Sequence, residues 1–190
     1  MQNRQHNCNH GPDSFWMHDP KILFEKLNLK EGDVFADIGC GVGRYSLAAA
    51  NYVGKSGRVY AIDQLEDCIN TLSLEAKACG LVQIEPIVSD ITASIPIESE
   101  SCDLCFICTV LHSLNLKQFA DTIFCETRRI LKPQGRLFIV ECKKKEVPFG
   151  PSMAARMSPD ELSEIVCAFN FSNLGLSDLG HNYMVEYGKI

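Results

Sequence analysis

The apolar run Val34-Phe35-Ala36-Asp37-Ile38 leads directly into Gly39-Cys40-Gly41-Val42-Gly43 and then into the Ala-rich segment Arg44 to Tyr52. A short buried-strand pattern, three glycines in five residues and a good helix former predict a strand that turns abruptly into a helix. No other feature constrains the chain as much. Without Cβ atoms the turn is free to adopt left-handed backbone, and a ligand is able to approach it closely. A buried strand handing over to a helix is also the repeating unit of parallel α/β sheets.

The rest of the sequence continues that alternation. A first helix is predicted from Asp19-Pro20, where Asp caps, Pro suits the first position, and Pro20, Leu23, Phe24 and Leu27 form an apolar face. Val59 to Ile62 reads as the second strand. Leu65, Cys68, Ile69, Leu72, Ala76 and Cys79 then recur at helical spacing up to Gly80. Ile84 to Val88 reads as a third strand, and Pro86 points to an edge position. Leu104 to Val110 reads as the fourth. A long helix from Leu116 to Leu131 is expected to stop at Pro133 and Gly135, before a fifth strand at Leu137 to Val140. Ser158-Pro159-Asp160-Glu161 is a capping box that opens a helix through Leu162, Ile165, Val166 and Phe169. Two closing strands, Asn173 to Asp178 and Asn182 to Tyr187, are joined by Gly180-His181 and should pair antiparallel. The predicted fold is a three-layer, doubly wound α/β domain with a mostly parallel sheet of about seven strands and an antiparallel last hairpin. Residues 1–18 read as a polar N-terminal arm and residues 19–190 as one domain.

Bulk properties narrow the function. With 46% hydrophobic and 22% charged residues the chain is globular, and its net charge of −6 argues against a nucleic-acid binder. Neither a membrane-spanning run nor a secretory leader is evident, so a cytoplasmic location is expected and the ten cysteines read as thiols. Lys143-Lys144-Lys145, followed by Glu146, reads as a solvated loop. Nothing in the pattern speaks to oligomeric state.

In doubly wound sheets, ligands bind beyond the carboxyl ends of the strands. Four of the five predicted ends carry an acid: Asp37, Asp63, Asp90 and Glu141. A dinucleotide fingerprint needs G-x-G-x-x-G, but its third glycine would fall on Arg44 or Ser46. A P-loop needs Lys-Ser or Lys-Thr where Arg44-Tyr45 stands. What remains is a glycine loop preceded by an acid, with Asp63 placed to accept hydrogen bonds from ribose hydroxyls.

These residues, together with Val59-Tyr-Ala-Ile-Asp63, Ser89-Asp90-Ile91 and Arg129-Ile-Leu-Lys-Pro-Gln-Gly135-Arg-Leu, resemble the Rossmann-like (class I) S-adenosylmethionine-dependent methyltransferases. The resemblance spans roughly residues 20 to 190 and is greatest to the small branch near the quinone-biosynthesis and arsenite methyltransferases. It implies S-adenosylmethionine as cofactor and a small-molecule methyl acceptor. The loop Gly39, Cys40, Gly41 and Gly43 would wrap the methionine part, with Asp37 near its ammonium. Asp63 and its neighbour Gln64 would hold the ribose, Asp90 and Ile91 would flank the adenine, and Cys108 would border the sulfonium. The cofactor carries an activated methyl, so the protein mainly aligns the acceptor and excludes water. His112, just beyond the fourth strand, is the candidate general base. Phe15, Trp16, His18, Phe149 and Met153 are candidate acceptor-pocket residues.

No metal is expected. On a regular strand Cys102 and Cys108 share a face about 20 Å apart at ~3.3 Å per residue, while Cys105 points the other way. His6-Asn-Cys8-Asn-His10 offers three ligands and lacks a fourth, so it reads as a plain tail. Cys40, Cys108 and Cys142 gather near strand ends, where a soft, arsenite-like acceptor would want thiolates. The alternatives to a small-molecule methyltransferase are a thiol or metalloid methyltransferase, a non-catalytic module that binds adenosyl ligands, and a nucleotide-dependent oxidoreductase of the same broad architecture.

Overall fold

The computed structural model describes residues 14–190; the His6, Cys8 and His10 group lies outside the described residues. A 3-10 turn at Ser14–Trp16 precedes α1 (Pro20–Leu27), whose N-cap Asp19 accepts a hydrogen bond from the Lys21 N–H. There follow β1 (Val34–Ile38), α2 (Arg44–Val53), β2 (Arg58–Asp63), α3 (Glu66–Ala78), β3 (Ile84–Val88), β4 (Cys102–Cys108) and α4 (Leu116–Ile130). The chain continues through β5 (Leu131–Cys142), α5 (Pro159–Cys167), β6 (Phe171–Leu179) and β7 (Asn182–Lys189). One sheet runs in the order β3-β2-β1-β4-β5-β7-β6. Its first five members are parallel, and β7 runs antiparallel to both β5 and β6. Strand β3, with Pro86 opposite Ala61, is the edge that the proline requires.

Strand alternation sends side chains to two cores. Phe35, Val59, Ala61, Leu104, Phe106 and Phe138 pack against α1, α2 and α3 on one face. Ala36, Ile38, Ile62, Ile107, Leu137 and Ile139 pack against α4 and α5 on the other. Each fully buried Phe, Leu or Ile contributes roughly 1.5–3 kcal/mol, so both faces must be covered. Because β1 lies between β2 and β4, the chain winds outward in both directions from that point. The crevice beyond the carboxyl ends of β1 and β4 is the switch point at which such sheets take ligands.

Three predicted details are corrected. The long helix ends at Ile130, and Leu131 is already extended, with φ −70° and ψ 135°. Pro133 and Gly135 do not stop that helix; they sit in a bulge at the start of β5, where Cys102 faces Leu131 but Leu104 faces Arg136. A Cβ on Gly135 would come 2.8 Å from Leu131 Cδ2, so the bulge itself demands the glycine. The same irregularity reverses the alternation of β4. Cys102 and Cys105 therefore lie in the same core, and Cys108 lies in the other. Finally, β4 stops at Cys108 and not at Val110, because Thr109 adopts φ +54°. That conformation is strained for a β-branched residue, and such strain gathers at functional sites. Among the described residues no helix is long and apolar enough to cross a membrane.

Candidate active site

The glycine turn is held from below by two bonds to one carbonyl, with Gly39 N–H and Cys40 N–H donating to Ile62 O at 2.8 and 2.9 Å. All three glycines have positive φ, and they differ in what surrounds them. A Cβ on Gly39 would stand 2.5 Å from Val110 Cγ2, and one on Gly43 would stand 2.5 Å from Leu72 Cδ1. On Gly41 it would meet nothing within 4 Å. Two glycines are thus needed for packing, and the third leaves space above the loop. Cys40 is buried beside it, and burial raises its thiol pKa above the ordinary range.

Two acids bracket that space. Asp63, at the end of β2, accepts from the Gly41 N–H through Oδ2 at 2.8 Å and from the Leu65 N–H through Oδ1 at 3.0 Å. It thereby fixes the loop and the start of α3, and each oxygen retains a lone pair for a ligand. Gln64 beside it is exposed. Asp37, at the end of β1, is 1% exposed and accepts from Ser46 Oγ at 2.6 Å. Burial, above all, pushes its pKa up to about 7, with Ser46 opposing and the nearby Asp63 charge adding to the shift. A buried acid in that state suits a ligand carrying a positive charge.

Asp90 is exposed and closes its own turn, accepting through Oδ1 from Thr92 N–H and Thr92 Oγ1, both at 2.8 Å. The next residue, Ile91, is buried in the core shared with α4. Cys108 is buried, and its thiol pKa is raised to about 12, chiefly by burial.

The second half of the site was only partly foreseen. Ser14 Oγ lies 3.7 Å from Cys108 Sγ. Phe15 packs edge-on against Tyr45 at 5.0 Å, and Tyr45 in turn packs against Phe106 at 5.1 Å. Tyr45 OH bonds His18 Nε2 at 3.0 Å, and Asn182 Nδ2 approaches His18 Nδ1 at 3.4 Å. Burial lowers the His18 pKa, which favours the neutral ring. These contacts hold the segment from Ser14 to His18 over the ends of β4 and β7. The Trp16 side chain lies outside what is described. Ser14, Tyr45, Ser46 and Asn182 carried no motif that would have singled them out.

Beyond β4, His112 Nδ1 lies 2.8 Å from Glu141 Oε2, and Glu141 itself is 1% exposed. The segment after β5 folds around Arg156, whose buried guanidinium donates to the carbonyls of Lys143, Lys145, Phe149 and Pro151. It lines a cavity of about 580 Å³ that includes Phe149, Met153 and Arg156. Phe149 packs edge-on against His181 at 4.9 Å. A Cβ on Gly150 would lie 3.8 Å from Cys142 Sγ, which sets this loop beside the carboxyl end of β5. The described residues contain no group of three or more His, Cys, Asp or Glu side chains arranged for a metal ion.

The family model described as "Methyltransferase domain" matches residues 36–139, more than half of the chain and the whole stretch from β1 into β5. The chain belongs to the class I methyltransferase family. A demethylmenaquinone methyltransferase of Lactobacillus johnsonii is 29% identical over 128 residues, covering 67% of this chain and 51% of the relative. A probable cobalt-precorrin-6B C(15)-methyltransferase (decarboxylating) of Saccharolobus solfataricus is 35% identical over 107 residues, covering 50% of this chain and 54% of that protein. The chain thus spans about half the length of the curated relatives it matches. A crystal structure of a SAM-dependent methyltransferase from Aquifex aeolicus superimposes with a TM-score of 0.85 at 27% identity, covering 94% of both chains. This methyltransferase-family domain therefore shares a similar enzyme's architecture over nearly its full length.

Proposed function

We propose that the domain binds S-adenosylmethionine over the turn between β1 and α2 and transfers its methyl group to a small molecule at the ends of β4 and β5. The observation that carries this reading is the open space over Gly41, bracketed by Asp63 and by the buried Asp37. When bound, the sulfonium supplies an already activated methyl group.

The residues present suit that ligand. Gly39, Cys40, Gly41 and Gly43 offer a backbone cradle, and Asp37 offers a buried acid to the ammonium. Asp63 and Gln64 face the ribose, Asp90 and Ile91 the adenine, and Cys108 the sulfonium. The segment from Ser14 to His18 and the loop around Arg156 exclude water and orient the acceptor. A small-molecule acceptor is supported by the names of the two relatives described above, a demethylmenaquinone and a cobalt-precorrin-6B methyltransferase. The net charge of −6 is unfavourable for a nucleic-acid acceptor.

Calorimetric titration with S-adenosylmethionine, S-adenosylhomocysteine and NAD tests the reading. Binding of both adenosyl sulfur compounds with no heat from NAD is expected. Tight NAD binding with silence toward the other two would overturn it.

A further inference from the structure

The segment from Ser14 to His18 lies across the ends of β4 and β7 and is anchored at both of its own ends. At the first, Ser14 Oγ rests 3.7 Å from Sγ of Cys108, the last residue of β4. At the other, the His18 ring is met on both nitrogens. Tyr45 OH, from α2, lies 3.0 Å from Nε2, and Asn182 Nδ2, from β7, lies 3.4 Å from Nδ1. Between the anchors the Met17 N–H donates to Ser14 O at 3.0 Å, closing a single turn, and Phe15 sets its ring edge-on to Tyr45. One turn has no ladder of hydrogen bonds of its own, so its closure depends on the two anchors.

The His18 anchor suits one charge state. Asn182 is fully buried, and its Oδ1 has no hydrogen-bond partner among the described residues. The contact with the ring is made through the amide nitrogen, which is a donor. A neutral imidazole can accept at one nitrogen, whereas an imidazolium donates at both and would face Asn182 donor to donor. Burial also works against the charge and lowers the His18 pKa, with the exposed Asp19 opposing. Among the described residues, the other titratable groups around the ring are the Tyr45 phenol of α2 and, through Ser14, the Cys108 thiol of β4. Burial raises the pKa of the phenol, and that of the thiol to about 12, so neither supplies a negative charge between pH 5 and 8. Asp37 acts electrostatically on both groups and itself titrates near pH 7, so its effect has to be separated from that of His18.

We propose that Ser14 to His18 is a proton-operated strap, closed over the end of β4 while His18 is neutral and released when the ring takes up a proton. The released ring titrates near the ordinary histidine value of ~6.5, and the closed ring below it. Opening therefore takes up a proton in that interval. The closed state is favoured fully above it, loses ground as pH falls through it, and levels off below the closed-state pKa. The consequence for catalysis rests on the reading above. Cys108 borders the proposed methyl site, so a strap seated on that thiol governs entry of the acceptor, and acid opens the way.

Trp16, the one tryptophan of the chain, lies in this strap and reports on it without any ligand. The experiment is acrylamide quenching of the full chain from pH 8 to 5, read as a bimolecular rate constant from fluorescence lifetimes, beside an NMR titration of the His18 ring assigned through its backbone. As pH falls the constant is expected to rise ~2-fold or more, since opening takes up at most one proton, with a midpoint that matches His18 and lies below that of Asp37. In His18→Gln, which leaves Asp37 in place, it should not vary with pH. A constant that stays level or falls in wild type, a midpoint that departs from that of His18, or the same rise in His18→Gln would overturn the proposal. Should the variant not fold, the match between the two wild-type midpoints decides alone. No S-adenosylmethionine enters these measurements, so failure of the chain to bind it would overturn the methyltransferase reading and leave the strap standing.

Discussion

Two corners of the molecule meet beyond the carboxyl ends of the parallel strands, and they are assembled in different ways. The corner around β1, β2 and α2 is local: Asp37 meets Ser46, and Asp63 meets Gly41, across short stretches of chain. The corner around β4 and β5 is stitched from distant segments, with Ser14 against Cys108, His18 against Asn182 and Glu141 against His112. The first is built mainly from backbone and carboxylates and suits a cofactor of fixed shape. The second depends on side-chain packing and hydrogen bonds, which are easily varied to suit different acceptors. Their independence can be broken experimentally, one corner at a time.

The largest expected effect is that of Asp63→Ala. It removes the acceptor of two backbone N–H groups and the proposed ribose contact, and charge-assisted hydrogen bonds are worth about 1.5–3 kcal/mol each. S-adenosylhomocysteine affinity should fall ~100-fold or more by calorimetry. Equal binding by this variant would remove Asp63 from the site.

A pair of glycine variants sharpens the contrast inside the first corner. In Gly41→Ala the new methyl enters open space, so S-adenosylhomocysteine binding should fall ~10-fold or more, with only about 1 kcal/mol lost from left-handed strain. Gly43→Ala sets its methyl against the fully buried Leu72 and should cost about 2–4 kcal/mol of stability from overpacking and strain, read as a lower melting temperature. Similar losses of stability in both would contradict the division of roles.

How much of each corner was legible follows from that same division. Gly39 to Gly43, Asp37 and Asp63 sit at a strand end that periodicity alone locates, and the capping box at Ser158 and Glu161 is likewise local. The long-range partners were hidden. Glu141 was visible as an acid at a strand end, but nothing in its neighbourhood points to His112, 29 residues earlier. Tyr45 looked like any helix residue until the fold brought His18 to its hydroxyl. Pro133 and Gly135 misled for a different reason. Proline and glycine punctuate helices and bulges alike, and only the pairing of Leu131 with Cys102 shows which applies. The face of Cys102 was missed in consequence.

Proton linkage tests Asp37. Its pKa is about 7 in the folded protein against an ordinary aspartate value of 3.8, so between roughly pH 4 and 7 the native state holds a proton that the unfolded chain has lost. Its contribution to stability therefore falls as pH rises through that window and levels off above it. The melting temperature of wild type relative to Asp37→Asn should decline from pH 4 to 8. At pH 6, binding of S-adenosylhomocysteine should release up to about one proton as its ammonium ionises Asp37, and at pH 8 much less. Titration in two buffers of different ionisation enthalpy measures this, and proton uptake at pH 6 would place the ammonium elsewhere.

The smallest effect belongs to the second corner. Tyr45→Phe removes the bond to His18 Nε2 while keeping the ring contacts with Phe15 and Phe106. About 1 kcal/mol of stability should be lost, with faster hydrogen exchange confined to the segment from Ser14 to His18. An equal rise in exchange at the glycine loop would show that the two corners are coupled.

Hydrogen exchange of the full chain with and without saturating S-adenosylhomocysteine tests the central claim most directly. Protection is predicted at Gly39 to Gly43 and at Asp63 to Leu65. Protection confined instead to the separate groove lined by Glu100, Asp121, Arg128 and Lys189, or none at all, would contradict it.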